Sequence, residues 1–197
     1  MSSNKNRSTR DVILKSAWKA LEETPDKSVR MSDIAKRAGV SRQALYLHFP
    51  TRGDLLTATS RYLDVVLDVD TRLIPSRTAT NGLDRLNAFI TFWTGYIPEI
   101  YGVAKALMVM KDHDDAAATA WADRMGAVHE GCVAAAQALS DDGALADDLS
   151  VEKAADLLWV LLSVRHWEDA TKSCGWSQEE YVYHISRAAR LSLLKPA

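Results

Sequence analysis

Cysteine is scarce. The two in 197 residues, Cys132 and Cys174, form neither a paired metal spacing nor a dense disulfide framework, and they read as reduced thiols. Glycine and proline are sparse as well, at 9 and 5, and no glycine-rich run of the phosphate-cradling kind occurs. No apolar stretch approaches the ~20 residues of a membrane helix, and the polar N-terminus lacks the apolar core of a signal peptide. These absences set the expectation of a soluble, cytoplasmic chain. They also leave an enzyme without parts, since there is no Glu-x-x-His pair, no nucleophile elbow and no redox cysteine pair. No catalytic residue, metal site or cofactor is expected, and no internal repeat or low-complexity tract is present.

What is present is helical signal from end to end. The length suffices for one large or two small cores. The net charge of −2 hides an asymmetry. Residues 1–52 hold 11 basic and 5 acidic side chains, whereas the remainder holds 13 and 21. A basic head on an acidic body suits a polyanionic partner for the head alone.

Within that head, Met31 to Phe49 reads as two short helices and a tight turn. Ser32 and Asp33 suit a helix start, and Ile34, Ala35 and Ala38 share a face. Gly39 suits a left-handed stop, Val40 fills the corner, and Ser41 caps a second helix that ends before Pro50. This is the helix-turn-helix layout, whose second helix enters the DNA major groove. Leu45 and Phe49 form its buried side. Arg42 and Gln43 lie at its start, and both residue types make paired hydrogen bonds to purines, Arg to guanine and Gln to adenine. Ser41, Tyr46, His48 and Arg52 are placed to position phosphates.

The run Ile34-Ala-x-x-Ala-Gly-Val-Ser-x-x-x-Leu-Tyr-x-His-Phe-x-x-Arg-x-x-Leu-Leu56 resembles the DNA-binding domain of the TetR family of bacterial transcriptional regulators. The motif covers about the first quarter of the chain. Arg30 stands where the family usually has Ser or Thr opening the second helix. Capping then passes to Ser28 or Ser32, and a phosphate contact to the Arg30 guanidinium. The family's usual Gly is also missing, and Pro25-Asp26 makes the turn.

Around this centre the periodicity predicts a first helix opened by Ser8-x-x-Asp11 and closed by Pro25, with Ile13, Leu14, Ala17, Trp18 and Leu21 inward. The tail before it, residues 1–7, is either plain disorder or an arm that adds DNA contacts. A long fourth helix should run from Thr51-x-x-Asp54 to Pro75, a fifth from Asn81-x-x-Asp84 to Pro98, and a sixth from Glu99 to Lys111. Asp112-His-Asp-Asp115 reads as a solvated junction rather than a cation site. The seventh helix covers about 116–139, and an acidic loop follows over 140–150. An eighth, 151–172, is apolar on every side and needs cover on every side. A ninth opens at the capping box Ser177-x-x-Glu180.

The fold class expected is all-α, with about nine helices. An N-terminal three-helix DNA-binding domain occupies 1–52, and a helical ligand-binding and dimerisation domain occupies 53–197. The eighth and ninth helices should pair with those of a second copy, as the resemblance also implies. Two reading helices would then meet a pseudo-palindromic operator in successive major grooves, about 34–36 Å apart. Trp93, Tyr96, Tyr101, Met108, Trp121, Met125, His129, Trp159 and Trp167 are the residues expected to line an apolar effector chamber. In the resembled family an effector there moves the fourth helix and changes the separation of the heads. The expected partners are thus a double-stranded operator, a small, largely apolar effector and a second copy of the chain, with no membrane. A helical protein-interaction adaptor, or an activator using the same motif, is the alternative.

Overall fold

The computed structural model describes residues 2–24 and 29–196, with side chains from Thr9 onward in the first segment. The turn expected at Pro25-Asp26 and the cap expected at Ser28 lie outside the described residues. The fold is all-α: α1 (Ser2–Glu23), α2 (Met31–Ala38), α3 (Arg42–His48), α4 (Arg52–Val66), α5 (Val69–Arg72), α6 (Ile74–Arg77), α7 (Gly82–Met110), α8 (Asp115–Asp141), α9 (Val151–Leu161), α10 (Val164–Glu168), a π-helical turn (Asp169–Ser173) and α11 (Gln178–Leu193). They form two compact units. The first takes in residues 1–67 and 100–124, and the second 68–99 and 125–197.

The core of the first unit follows from the heptad-like spacing of α1. Ile13, Leu14, Ala17 and Leu21 are fully buried and meet Ile34, Leu45, Leu55, Leu56, Val103 and Leu107. Helix α1 begins at Ser2, well before the Ser8 box expected to open it. The backbone over residues 2–7 is therefore helical, which goes against plain disorder there and leaves the alternative, an arm that adds DNA contacts, untouched. Ser41 caps α3 by accepting from the Ala44 amide at 3.0 Å, and Thr51 and Asp54 form a reciprocal box at the start of α4. Helix α2 departs from expectation. Its N-cap is Arg30 in extended conformation, and no side chain caps it.

Proline misled the reading twice, for different reasons. Helix α4 stops at Val66, where Asp68 adopts the left-handed region at φ 53°, a conformation that short Asp side chains tolerate. Pro75 then sits inside the first turn of α6, where a missing N–H costs nothing. Pro98 does not end the fifth helix. The helices expected as fifth and sixth are the single α7. A proline at 98 deprives the Thr94 carbonyl of its intrahelical donor. In the second unit Gln178 Nε2 supplies the bond instead, at 2.8 Å, while Gln178 Oε1 accepts from the Trp167 indole at 2.9 Å. A side chain 80 residues downstream repairs the helix.

The second unit buries Leu86, Ile90, Trp93 and Ile97 of α7, Cys132, Ala135 and Leu139 of α8, Leu158 of α9, and Tyr181 and Ala189 of α11. Gly82 is required for one approach, because a Cβ there would lie 2.6 Å from the Ala138 carbonyl and the Leu139 amide. The segment expected as an eighth helix breaks at Leu162, and Ser163 caps α10 by accepting from the His166 amide. Helix α11 opens with the expected Ser177–Glu180 box.

Candidate nucleic-acid interface

The turn between α2 and α3 closes as its residue types dictate. Gly39 takes φ 66° and ψ 28°, and the Val40 amide reaches back to the Ala35 carbonyl at 3.0 Å, the pairing of a glycine-terminated helix stop. Leu45 is buried completely and Phe49 almost so. They anchor α3 to the core from one side. At about 100° per residue, Arg42, Tyr46, Gln43 and Leu47 then follow one another round the opposite side, and all four are exposed. Ser41, Arg30 and Ser32 are exposed beside them, and His48 is half-buried at the far end of α3. The ring of Tyr46 stands in solvent rather than in the core, leaving its hydroxyl available to a duplex.

Arg52 is placed differently. Its Nε donates to the Val29 carbonyl at 2.9 Å, one Nη contacts the Met110 sulfur at 3.5 Å, and the other pairs with Asp114. The two side chains keep only 19% and 20% of their accessibility. Asp114 also caps α8, accepting from Ala116 and Ala117 at 3.1 and 3.3 Å. The junction over residues 112–115 is therefore structural at Asp114. Among the described residues, no cluster of His, Cys, Asp or Glu is arranged to hold a metal ion.

Two residues of this region went unnoticed in the sequence. The Arg10 guanidinium lies 5.1 Å from the centre of the Phe49 ring, which carries a cation from α1 to the edge of α3. Arg61 pairs with Asp123, whose carboxyl is held below the ordinary range chiefly by that hydrogen bond. Both line an open groove of about 780 Å³ with His48, Phe49, Thr51 and Tyr62. None of the nine residues expected in an effector chamber lines it.

Those nine are split between the two units. Tyr101, Met108 and Trp121 belong to the first unit, where Trp121 packs on the core. In the second unit, Trp93 and Tyr96 are buried with ring centres 5.8 Å apart, and the Trp93 indole donates to the Leu162 carbonyl at 2.5 Å. Trp167 is buried near them through Gln178. Met125, His129 and Trp159 of the second unit contact one another. The Trp159 indole donates to the Met125 carbonyl at 3.2 Å and stands edge-on to the His129 ring. His129 faces Asp156 at 3.2 Å, in contact with solvent. That hydrogen bond is the leading cause holding the Asp156 carboxyl below its usual range.

Residues 13–59 match the family model described as bacterial regulatory proteins, tetR family. Over 96% of its length the chain also superposes, with a TM-score of 0.75 and 19% identity, on the whole of a Saccharomonospora viridis protein solved in complex with choline and described as a transcriptional regulator. The family match is confined to residues 13–59, and beyond them the likeness is one of fold. A second fold likeness is to NalD from Pseudomonas aeruginosa, called the secondary repressor of the MexAB-OprM multidrug efflux pump. It covers 96% of this chain and 98% of that one, with a TM-score of 0.69 and 17% identity. Among curated proteins, the nucleoid occlusion factor SlmA of a Marinomonas strain is 27% identical over 105 residues. That match spans 53% of each chain, about half the relative's length. No helix of the described residues is long and apolar enough to cross a membrane.

Proposed function

We propose that the chain is a TetR-type, DNA-binding transcriptional regulator that acts as a homodimeric repressor, released from a pseudo-palindromic operator by a small, largely apolar effector. One observation carries the reading. The buried pair Leu45 and Phe49 fixes α3 so that Arg42 and Gln43 project from its first turn on the basic part of the chain. Arg42 and Gln43 read bases, while Ser41, Tyr46, His48, Arg30 and Ser32 position phosphates. Residues 1–52 serve as the reading head, and 53–197 serve effector binding and dimerisation in the cytoplasm.

The dimer is supported by apolar surface left open on α9 and α11. Val160 is 50% and Leu191 71% exposed, and Leu157 and Tyr183 are exposed beside them in sequence register. A helix expected to need cover on every side lacks it on that face, and a second copy supplies it with an identical face. The effector reading draws on Trp93, Tyr96 and Trp167, and on the buried hydroxyl of Tyr181, which has no hydrogen-bond partner. A regulator of similar fold was solved with choline, and another is called a repressor.

The deciding experiment selects bound duplexes from a random pool and repeats the selection with Arg42→Ala. The variant should relax preference at one base position per half-site, at about 1–3 kcal/mol. An unchanged preference would remove Arg42 from base readout. Leu191→Glu should convert the dimer to monomer in sedimentation, and an unchanged mass would move the interface elsewhere.

A further inference from the structure

Leu47 has no part in the account of bases and phosphates given so far. It is 80% exposed, and no other large apolar side chain among the described residues stands further into solvent. Its place on α3 is set by the anchors: two residues from each of Leu45 and Phe49, it falls on the side away from the core. It closes the exposed arc next to Gln43. The two are i and i+4 neighbours, with Cβ atoms about 5–6 Å apart. Leucine has no donor or acceptor, so neither a phosphate nor a hydrogen-bonding base edge rewards it. The major groove offers one apolar group, the C5-methyl of thymine. Successive base pairs rise about 3.4 Å, so side chains with this separation reach neighbouring pairs.

We propose that Leu47 is a specificity-determining residue. It packs on a thymine methyl in the base pair beside the one whose adenine Gln43 engages, so each half-site contains two adjacent A·T pairs. This rests on the assignment of α3 as the base-reading helix. The partner is fixed by continuity, because Arg42, Tyr46 and Gln43 share the arc and a duplex seated on them covers Leu47 as well.

The test uses the full chain and the site recovered from a random duplex pool. Each thymine of the half-site is replaced in turn by deoxyuridine, which removes only the methyl, and binding is measured by fluorescence anisotropy at fixed salt. One position should weaken binding about fourfold per half-site, the value of burying one methyl group. Leu47→Ala should lower affinity for the thymine duplex by a similar factor and abolish the deoxyuridine penalty at that position. Leu47→Met, of similar bulk, should keep the penalty, separating a lost contact from a lost fold. Insensitivity to deoxyuridine at every position overturns the proposal, as does a penalty that survives undiminished in Leu47→Ala. A pool that yields no preferred sequence overturns α3 as the base reader, and Leu47 with it.

Discussion

Arg52 and Asp114 offer a double-mutant cycle whose size follows from the geometry. Each is about four-fifths shielded, so the pair lies between the exposed class, worth about 0–1 kcal/mol, and a charged hydrogen bond out of water, worth about 1.5–3 kcal/mol. Arg52→Ala also strands the Val29 carbonyl. Asp114→Ala removes the cap of α8, a further loss of about 1 kcal/mol. Each single variant should therefore lose about 2–3 kcal/mol in urea unfolding, read as a shifted midpoint with the slope unchanged. The double variant should fall short of the sum by about 1.5 kcal/mol, the coupling of the pair. DNA binding gives the second arm. A phosphate contact contributes about 0.9 to the salt slope, so two protomers losing one each would lower it by about 1.8. With the guanidinium spent on Asp114, Arg52→Ala should leave the slope within about 0.5 of the parent. A stable Arg52→Ala protein whose slope drops by nearly two would refute this assignment and return the side chain to the duplex.

Three further outcomes follow. Gln178→Leu should cost about 2 kcal/mol in thermal unfolding, since it removes the donor to the Thr94 carbonyl and the acceptor of the Trp167 indole. Pro98→Ala, which restores a backbone donor, should reduce that cost, and an undiminished cost would show that the repair lies elsewhere. Gly82→Ala should lose about 2 kcal/mol or more because its methyl meets the backbone of α8. Gly95→Ala, in open space on α7, should gain up to about 1 kcal/mol; equal effects would count against the close approach. A thiol reagent at pH 8 should modify Cys174 and spare Cys132, which is buried and whose thiol is pushed up to about 12 by desolvation. Mass spectrometry of the folded chain checks this, and labelling of Cys132 at the rate of Cys174 would contradict its burial.

Local chemistry was legible wherever it was also decisive. Gly39, Ser41, Thr51–Asp54 and Ser177–Glu180 act within one turn of themselves, and the structure places each as its residue type requires. The exposed side of α3 was legible for the same reason, since burying Leu45 and Phe49 leaves only one way for a seven-residue helix to face. Leu47 was open to the same argument, because its spacing from those anchors puts it outward.

Sequence by itself determined the helical class, the turn between α2 and α3 and which side of α3 faces outward. Those depend on backbone preferences and on a period of 3.6, which a linear chain displays. Tertiary structure alone decided that α7 continues through Pro98, because the replacement donor is a glutamine 80 residues away. It alone paired Arg52, expected to position a phosphate, with Asp114 in a shielded ion pair. Partners supplied from distant segments leave no periodic trace, so pattern and spacing cannot announce them.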